Sequence, residues 1–148
     1  MRVDFYHLTR SGPEGIVSAL AEKLLTGGER LLIVADDAAS LEKLDNALWV
    51  AKPESFLPHV MAGGEGNEDA TEPVLLGAVP EAANGARNIL IADGRWRDAA
   101  LDFERAFFLF DAATIEAARS AWKALAGQGG VERHYWKQDE RGRWAEGP

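Results

Sequence analysis

Leu31-Leu32-Ile33-Val34-Ala35, closed by Glu29-Arg30 on one side and Asp36-Asp37 on the other, is the stretch on which the fold turns. An apolar run with no polar alternation, cut off by charge at both ends, reads as a strand covered on both faces. Such strands belong to parallel sheets, so helices should flank it in sequence. Upstream, Ser11-Gly12-Pro13-Glu14 has the pattern of a capping box, and Ile16, Leu20 and Leu24 then share one helical face up to Leu25. Gly27-Gly28 ends that helix, and Val3 to Leu8 before it reads as another strand. Downstream, Asp36 or Asp37 is placed to cap a second helix that runs to about Val50, with Leu41, Leu44 and Leu48 facing in.

Further out the pattern repeats. Short strands are expected at 74–76, 88–92 and 106–110, then a third helix over about Ala113 to Ala126 that stops at Gly127, Gly129 and Gly130. Val131 to Trp136 returns as a strand, and Arg141-Gly142 reads as a turn before Trp144. Residues 52–72, with Pro53 and Pro58 and a Gly- and acid-rich second half, read as a loop and as the most mobile segment. Strands alternating with helices predict an α/β domain, layered around a mostly parallel sheet. With no repeat and no linker, residues 1–148 read as one domain.

Composition narrows the function classes. The absence of cysteine excludes a disulfide framework and every Cys-based metal or redox site, and it fits a reducing cytosol. The longest apolar runs are about five residues, against the ~20 of a membrane helix. The charged start, Met1-Arg2-Val3-Asp4-Phe5, does not read as a signal peptide, so the expected location is cytoplasmic. The net charge of −8 argues against strong direct binding of DNA, because gripping phosphates needs clustered cations. That charge is uneven. Residues 1–118 hold ten basic groups and twenty acids, a net of −10, whereas 119–148 hold six against four, a net of +2. Three of the five tryptophans, Trp122, Trp136 and Trp144, also fall in the basic end. A locally basic, aromatic-rich end suits a small anionic partner; it also suits a helix and strand with an ordinary solvated face.

Catalytic and cofactor signatures are missing. Gly12 and Gly15 do not make a G-x-G-x-x-G, and no P-loop lysine motif is present, so no nucleotide site is expected. Asp36 and Asp37 end a strand, where an acid can bind ribose or accept a phosphoryl group; without matching glycines, helix capping is the better account of them. There is no G-x-S-x-G elbow, and His7, His59 and His134 are too scattered for a zinc motif. No catalytic residue, metal or cofactor is therefore expected. The class competing with a binding protein is a Rossmann-type nucleotide-dependent enzyme using Asp36 or Asp37.

Two constellations could bind a partner. Arg119, Trp122, Lys123 and Ala126 fall on one helical stripe, continued by Ile115 and Ala118. Arg119 could take a carboxylate in its guanidinium fork, with Trp122 packing an apolar side chain beside it. Alternatively, Trp122 is core and Arg119 pairs with Glu116 on the surface. Trp49, with Phe56 and Pro58 in the following loop, could present an aromatic anchor, or that loop could fold down with Phe56 in the core.

Taken together, Phe5-Tyr6-His7-Leu8, Leu31–Ala35 with Asp36-Asp37, Leu44-Asp45-Asn46-Ala47-Leu48-Trp49, Ser55-Phe56-Leu57-Pro58-His59 and Ala118-Arg119-Ser120-Ala121-Trp122-Lys123 resemble the chi subunit family of bacterial DNA polymerase III holoenzyme. The resemblance continues through Trp136 and Trp144 and spans essentially the whole chain. It implies a Rossmann-like three-layer fold without a nucleotide site, and a non-catalytic accessory protein of the clamp loader. It implies two partners: the psi subunit, and the acidic C-terminal tail of single-stranded DNA-binding protein. The family's tail-binding residues fall on Arg119, Trp122 and Lys123, with Trp122 where a tyrosine is familiar. The psi-facing surface falls on Trp49 and Phe56, with Pro58 and His59 shaping the loop. That face could instead meet another clamp-loader protein or a helicase.

Overall fold

The apolar run at 31–34 forms a strand in which all four residues are buried. In a computed structural model of the chain, this strand lies inside an eight-stranded sheet. The structure describes residues 1–9, 12–50, 59–61, 73–81, 83–139 and 141–147, without the side chains of 49–50 and 59–61. The elements in chain order are β1 (Arg2–His7), α1 (Pro13–Thr26), β2 (Leu31–Val34), α2 (Ala38–Val50), β3 (His59–Met61), β4 (Val74–Gly77) and β5 (Asn88–Ile91). A short 3₁₀ turn (Asp98–Asp102) leads into β6 (Arg105–Phe110), α3 (Ile115–Ala126), β7 (Glu132–Gln138) and β8 (Trp144–Glu146).

The strand order is β3-β4-β2-β5-β6-β1-β7-β8, parallel throughout except that β8 runs antiparallel to β7. The expected α/β architecture is what forms, with helices on both faces of the sheet. On one face, Val17, Leu20, Ala21 and Leu24 of α1 and Leu41, Leu44 and Leu48 of α2 pack over Leu31, Ile33, Phe107 and Leu109. On the other, Ala118, Ala121 and Leu125 of α3 pack with Val3, Phe5, Phe108 and Phe110. The small residues on α3 let that helix approach the large aromatic rings of the strands.

Some boundaries differ for local reasons. Ser11 lies outside the described residues; the N-cap of α1 is Gly12, and Pro13 opens the helix, where its missing N–H costs nothing. Asp37 caps α2, accepting from the Ser40 N–H at 3.0 Å and the Ser40 hydroxyl at 2.7 Å. α3 begins later than its pattern suggests. Asp111 accepts from the N–H groups of Ala113 and Thr114 and from the Thr114 hydroxyl, so these residues form a turn before the helix starts. β3 lies within the stretch whose composition predicts a loop, and β8 follows the Arg141-Gly142 turn, where the sequence carries no strand pattern.

β1 is the strand that organises the site. Although it precedes both in sequence, it lies between β6 and β7, with Phe5 beside both Phe108 and Tyr135, and His7 beside both Phe110 and Lys137. Its odd-numbered side chains face α3. On the opposite face Asp4 is fully buried, accepting from Arg2 Nη2 at 3.0 Å, Arg105 Nε at 2.9 Å and Trp136 Nε1 at 2.9 Å. Burial pushes this carboxyl up, but the hydrogen bonds from Arg2 and Trp136 and the charge of Arg105 outweigh it and hold it below the usual range. Among the described residues, no helix is long and apolar enough to cross a membrane.

Candidate functional site

The stripe on α3 and the odd-numbered face of β1 meet in one pocket. Ile115, Ala118, Arg119, Trp122 and Lys123 of α3 line it, with Phe5, Phe110 and Tyr135 from β1, β6 and β7 as its floor and far wall. The cavity has a volume of about 320 Å³. A recess of that size accommodates one large side chain and a carboxylate rather than a cofactor of dinucleotide size. The stripe is in part packed and in part open to the cavity. Arg119 pairs with Glu116 at 3.0 Å on the surface, and it also forms the pocket rim. Trp122 meets the core edge-on, 5.1 Å from Phe5, while lining the cavity.

Three features escaped the helical pattern. Arg133 on β7 lays its guanidinium over the Trp122 ring at 4.2 Å and donates to the Trp122 carbonyl at 2.8 Å, fixing the indole and adding positive charge beside it. Tyr135 supplies a hydroxyl at the wall, 3.2 Å from Nδ1 of His7. His7 itself stacks on Phe110, with ring centres 4.8 Å apart. Burial lowers the pKa of His7, and the charge of Arg119 lowers it further, against the opposing pull of Asp111. The period-two alternation of β7 was the available signal, since Arg133, Tyr135 and Lys137 must share a face.

The far strand is pinned from behind. Gly147 donates its N–H to the Tyr135 carbonyl at 2.7 Å, and a Cβ there would come within 2.5 Å of the Tyr135 ring. His134, on the opposite face of β7, sits between Glu146 and Glu132, whose hydrogen bonds raise its pKa. The tryptophans of the basic end divide between the faces. Trp122 joins the pocket, whereas Trp136 stacks on Tyr6 at 6.0 Å and Trp144 meets Tyr6 edge-on at 5.1 Å, on the α1 side.

The other sequence candidates lie elsewhere. Trp49 is in the last turn of α2 and His59 opens β3, which is an outer strand of the sheet; Phe56 and Pro58 fall outside the described residues. Asp36 and Asp37 border a separate recess at the ends of β2 and β5, and both are engaged. Asp36 pairs with Arg95 and Asp37 caps α2, while neighbouring Asp93 is held by Arg97 at 2.8 Å. Among the described residues no cluster of His, Asp or Glu could hold a metal. Millimolar ATP or NAD is expected to leave the melting temperature unchanged. A saturable rise abolished by Asp36→Ala would favour the nucleotide-enzyme reading instead.

The comparison with protein families bears directly on this geometry. The family model for the DNA polymerase III chi subunit, HolC, matches residues 1–132. The chain belongs to the chi subunit family. A chi subunit of DNA polymerase III from Pseudomonas aeruginosa is 36% identical over 93 residues, 61% of this chain and 62% of that protein. The Escherichia coli chi subunit is 35% identical over 97 residues, 66% of this chain and 63% of that one. The chain thus spans a little under two thirds of the length of these chi relatives. The chi match includes the whole of α3 and stops at the first residue of β7, so Arg133 and Tyr135 lie beyond it. Among solved structures, the C-terminal domain of a Sulfolobus solfataricus SWI2/SNF2 ATPase superposes with a TM-score of 0.48 at 10% identity, covering 75% of this chain and 55% of that one. That likeness is too loose to bear on function.

Proposed function

We propose that this chi-family chain is a non-catalytic accessory subunit that tethers the clamp loader of the replicative polymerase to single-stranded DNA-binding protein. The pocket carries the reading. Arg119 takes the terminal carboxylate of the acidic tail, Trp122 walls the space for the tail's last apolar side chain, and Lys123 faces acids further upstream. The chemistry supports it: a guanidinium fork beside an apolar, aromatic floor selects a chain end that is both anionic and hydrophobic.

The second partner is the psi subunit or an equivalent clamp-loader protein, or a helicase, on the surface of Trp49, Phe56, Pro58 and His59. Strand order supports simultaneous occupancy. Five inter-strand steps separate β3 from β1, roughly 24 Å at about 4.8 Å each, and α2 and α3 cover opposite faces of the sheet. A partner at one end therefore leaves the other open.

Capture of both partners from native lysate tests the bridge. The wild-type chain is expected to retain clamp-loader subunits and single-stranded DNA-binding protein together. Trp49→Ala should lose the first and keep the second, since truncating an interface anchor costs about 2 kcal/mol or more, roughly thirtyfold in affinity. Arg119→Ala should show the opposite pattern. Loss of both partners from a folded Trp49→Ala variant would refute two separate surfaces.

A further inference from the structure

His7 lies beneath the pocket, and the tail-binding reading leaves it without a task. It faces α3 from the centre of the sheet, beside the lining residue Phe5 on the same strand. Its ring lies flat on Phe110 at 4.8 Å and its Nδ1 is 3.2 Å from the hydroxyl of Tyr135, and both of those residues line the cavity. The charged and titratable groups around it come from three elements. Asp111 approaches from the turn after β6, Arg119 from α3, and Tyr135 and Lys137 from β7, the latter in register with His7. In the free protein this setting favours the neutral ring, chiefly through burial, with the charge of Arg119 adding to it against the opposing charge of Asp111.

We propose that His7 is a further residue of this pocket, drawing proton uptake from solvent as a ligand carboxylate docks on Arg119. This rests on the peptide-binding reading of the pocket. A docked carboxylate neutralises the field of Arg119 and adds negative charge near the imidazole, so the charged ring is stabilised relative to the free protein. The Tyr135 hydroxyl carries the effect to the ligand. Against a neutral ring with Nδ1 free, the hydroxyl donates its proton to that nitrogen. Once Nδ1 is protonated, the ring donates to the Tyr135 oxygen, and the hydroxyl is released to donate to a carboxylate in the cavity. Binding is thereby tied to pH through a group that never touches the ligand. His7 is a positioning residue.

The test is calorimetric titration with a synthetic acidic peptide ending in Asp-Phe, at pH 6 and pH 8. At each pH it is run in two buffers of different ionisation enthalpy, so that proton uptake is read directly. The peptide's carboxyls stay ionised throughout, with ordinary values near 3.5–4. The wild-type chain is expected to bind about three- to tenfold more tightly at pH 6 than at pH 8, because docking raises the pKa of His7, and to take up a fraction of a proton. His7→Gln should bind as the wild type does at pH 8, with no uptake and a flat profile. His134 and His59 remain in that variant, so a surviving pH slope would assign the effect to them and overturn the proposal. Imidazole NMR of the wild-type chain gives a second reading that needs no variant. The His7 resonance should titrate at higher pH with the peptide than without it, and to a smaller extent with the C-terminally amidated peptide. Binding that depends on Arg119 but leaves the His7 titration unmoved would refute this role and leave the peptide site standing. No binding at either pH would refute both.

Discussion

Asp4→Ala is expected to destabilise the fold by about 3 kcal/mol, the low end of the ~3–5 kcal/mol seen when one member of a buried ion pair is removed. The carboxylate is fully buried and is shared by two guanidiniums and the Trp136 indole. Its removal would leave the Trp136 N–H without its acceptor and two like charges facing each other across β1 and β6. The loss stays near the lower bound because the Arg2 and Arg105 side chains are 37% and 31% exposed and can rehydrate. Asp4→Asn keeps the shape and an acceptor and should lose roughly half as much. Urea denaturation at pH 7 measures both, with a midpoint shift of more than about 1 M for Asp4→Ala at typical denaturant slopes. The pH dependence has a definite sign. The folded pKa is depressed, so this carboxyl's stabilisation is present above the unfolded value near 3.9 and is lost as pH falls through the folded one. The acid limb of the stability curve should therefore be shallower in the variant. A midpoint unchanged within error would show that the cluster does not secure β1.

The largest effect on binding is expected at Arg119. Residues 1–118 carry a net −10, so an acidic peptide is repelled at long range and its affinity has to come from the local site. A charge-assisted bond to a carboxylate is worth about 1.5–3 kcal/mol, so Arg119→Ala should weaken a peptide ending in Asp-Phe roughly ten- to a hundredfold. The contact with Glu116 does not stand in the way. Both partners are largely exposed, at 64% and 83%, and such a pair contributes about 0–1 kcal/mol at most. A ligand carboxylate seated over an apolar floor can displace it. Amidating the peptide's C-terminus should weaken wild-type binding to a similar degree yet add little to Arg119→Ala, because both changes delete one interaction. Salt should weaken binding modestly, by screening the exposed charges while leaving the Trp122 contact intact. The full double-mutant cycle by calorimetry decides the matter. Additive losses would mean that Arg119 does not hold the carboxylate.

What could be read from the chain follows the range of the interactions involved. β2 was legible because burial on both faces leaves a run of apolar residues that no helix pattern explains, and α1 and α2 because their leucines repeat at helical spacing. β3 was not, since three residues between a proline-bearing stretch and a glycine-rich one give no period to detect. The late start of α3 depends on side-chain hydrogen bonds from Asp111 that compete with the first helical turn. The same division runs through the site. Arg119, Trp122 and Lys123 belong to one helix, so local spacing groups them. Phe5, Phe110, Arg133 and Tyr135 join them only because β1 lies between β6 and β7, and no local pattern encodes which strands become neighbours.

That placement of β1 also sets a timetable. On the ribosome, residues 2–7 emerge long before their partners in the sheet, residues 105–110 and 132–138. At ~5–20 residues per second, this strand waits roughly six to twenty-six seconds for its last neighbour. Contacts of such high sequence separation close late, after long loops have been ordered. The walls of the pocket come from these same distant segments, so a nascent chain has no pocket to offer. If the pocket takes a peptide tail as proposed, recruitment is in this way reserved for molecules whose sheet has already closed, and an abandoned translation product would not compete for the partner.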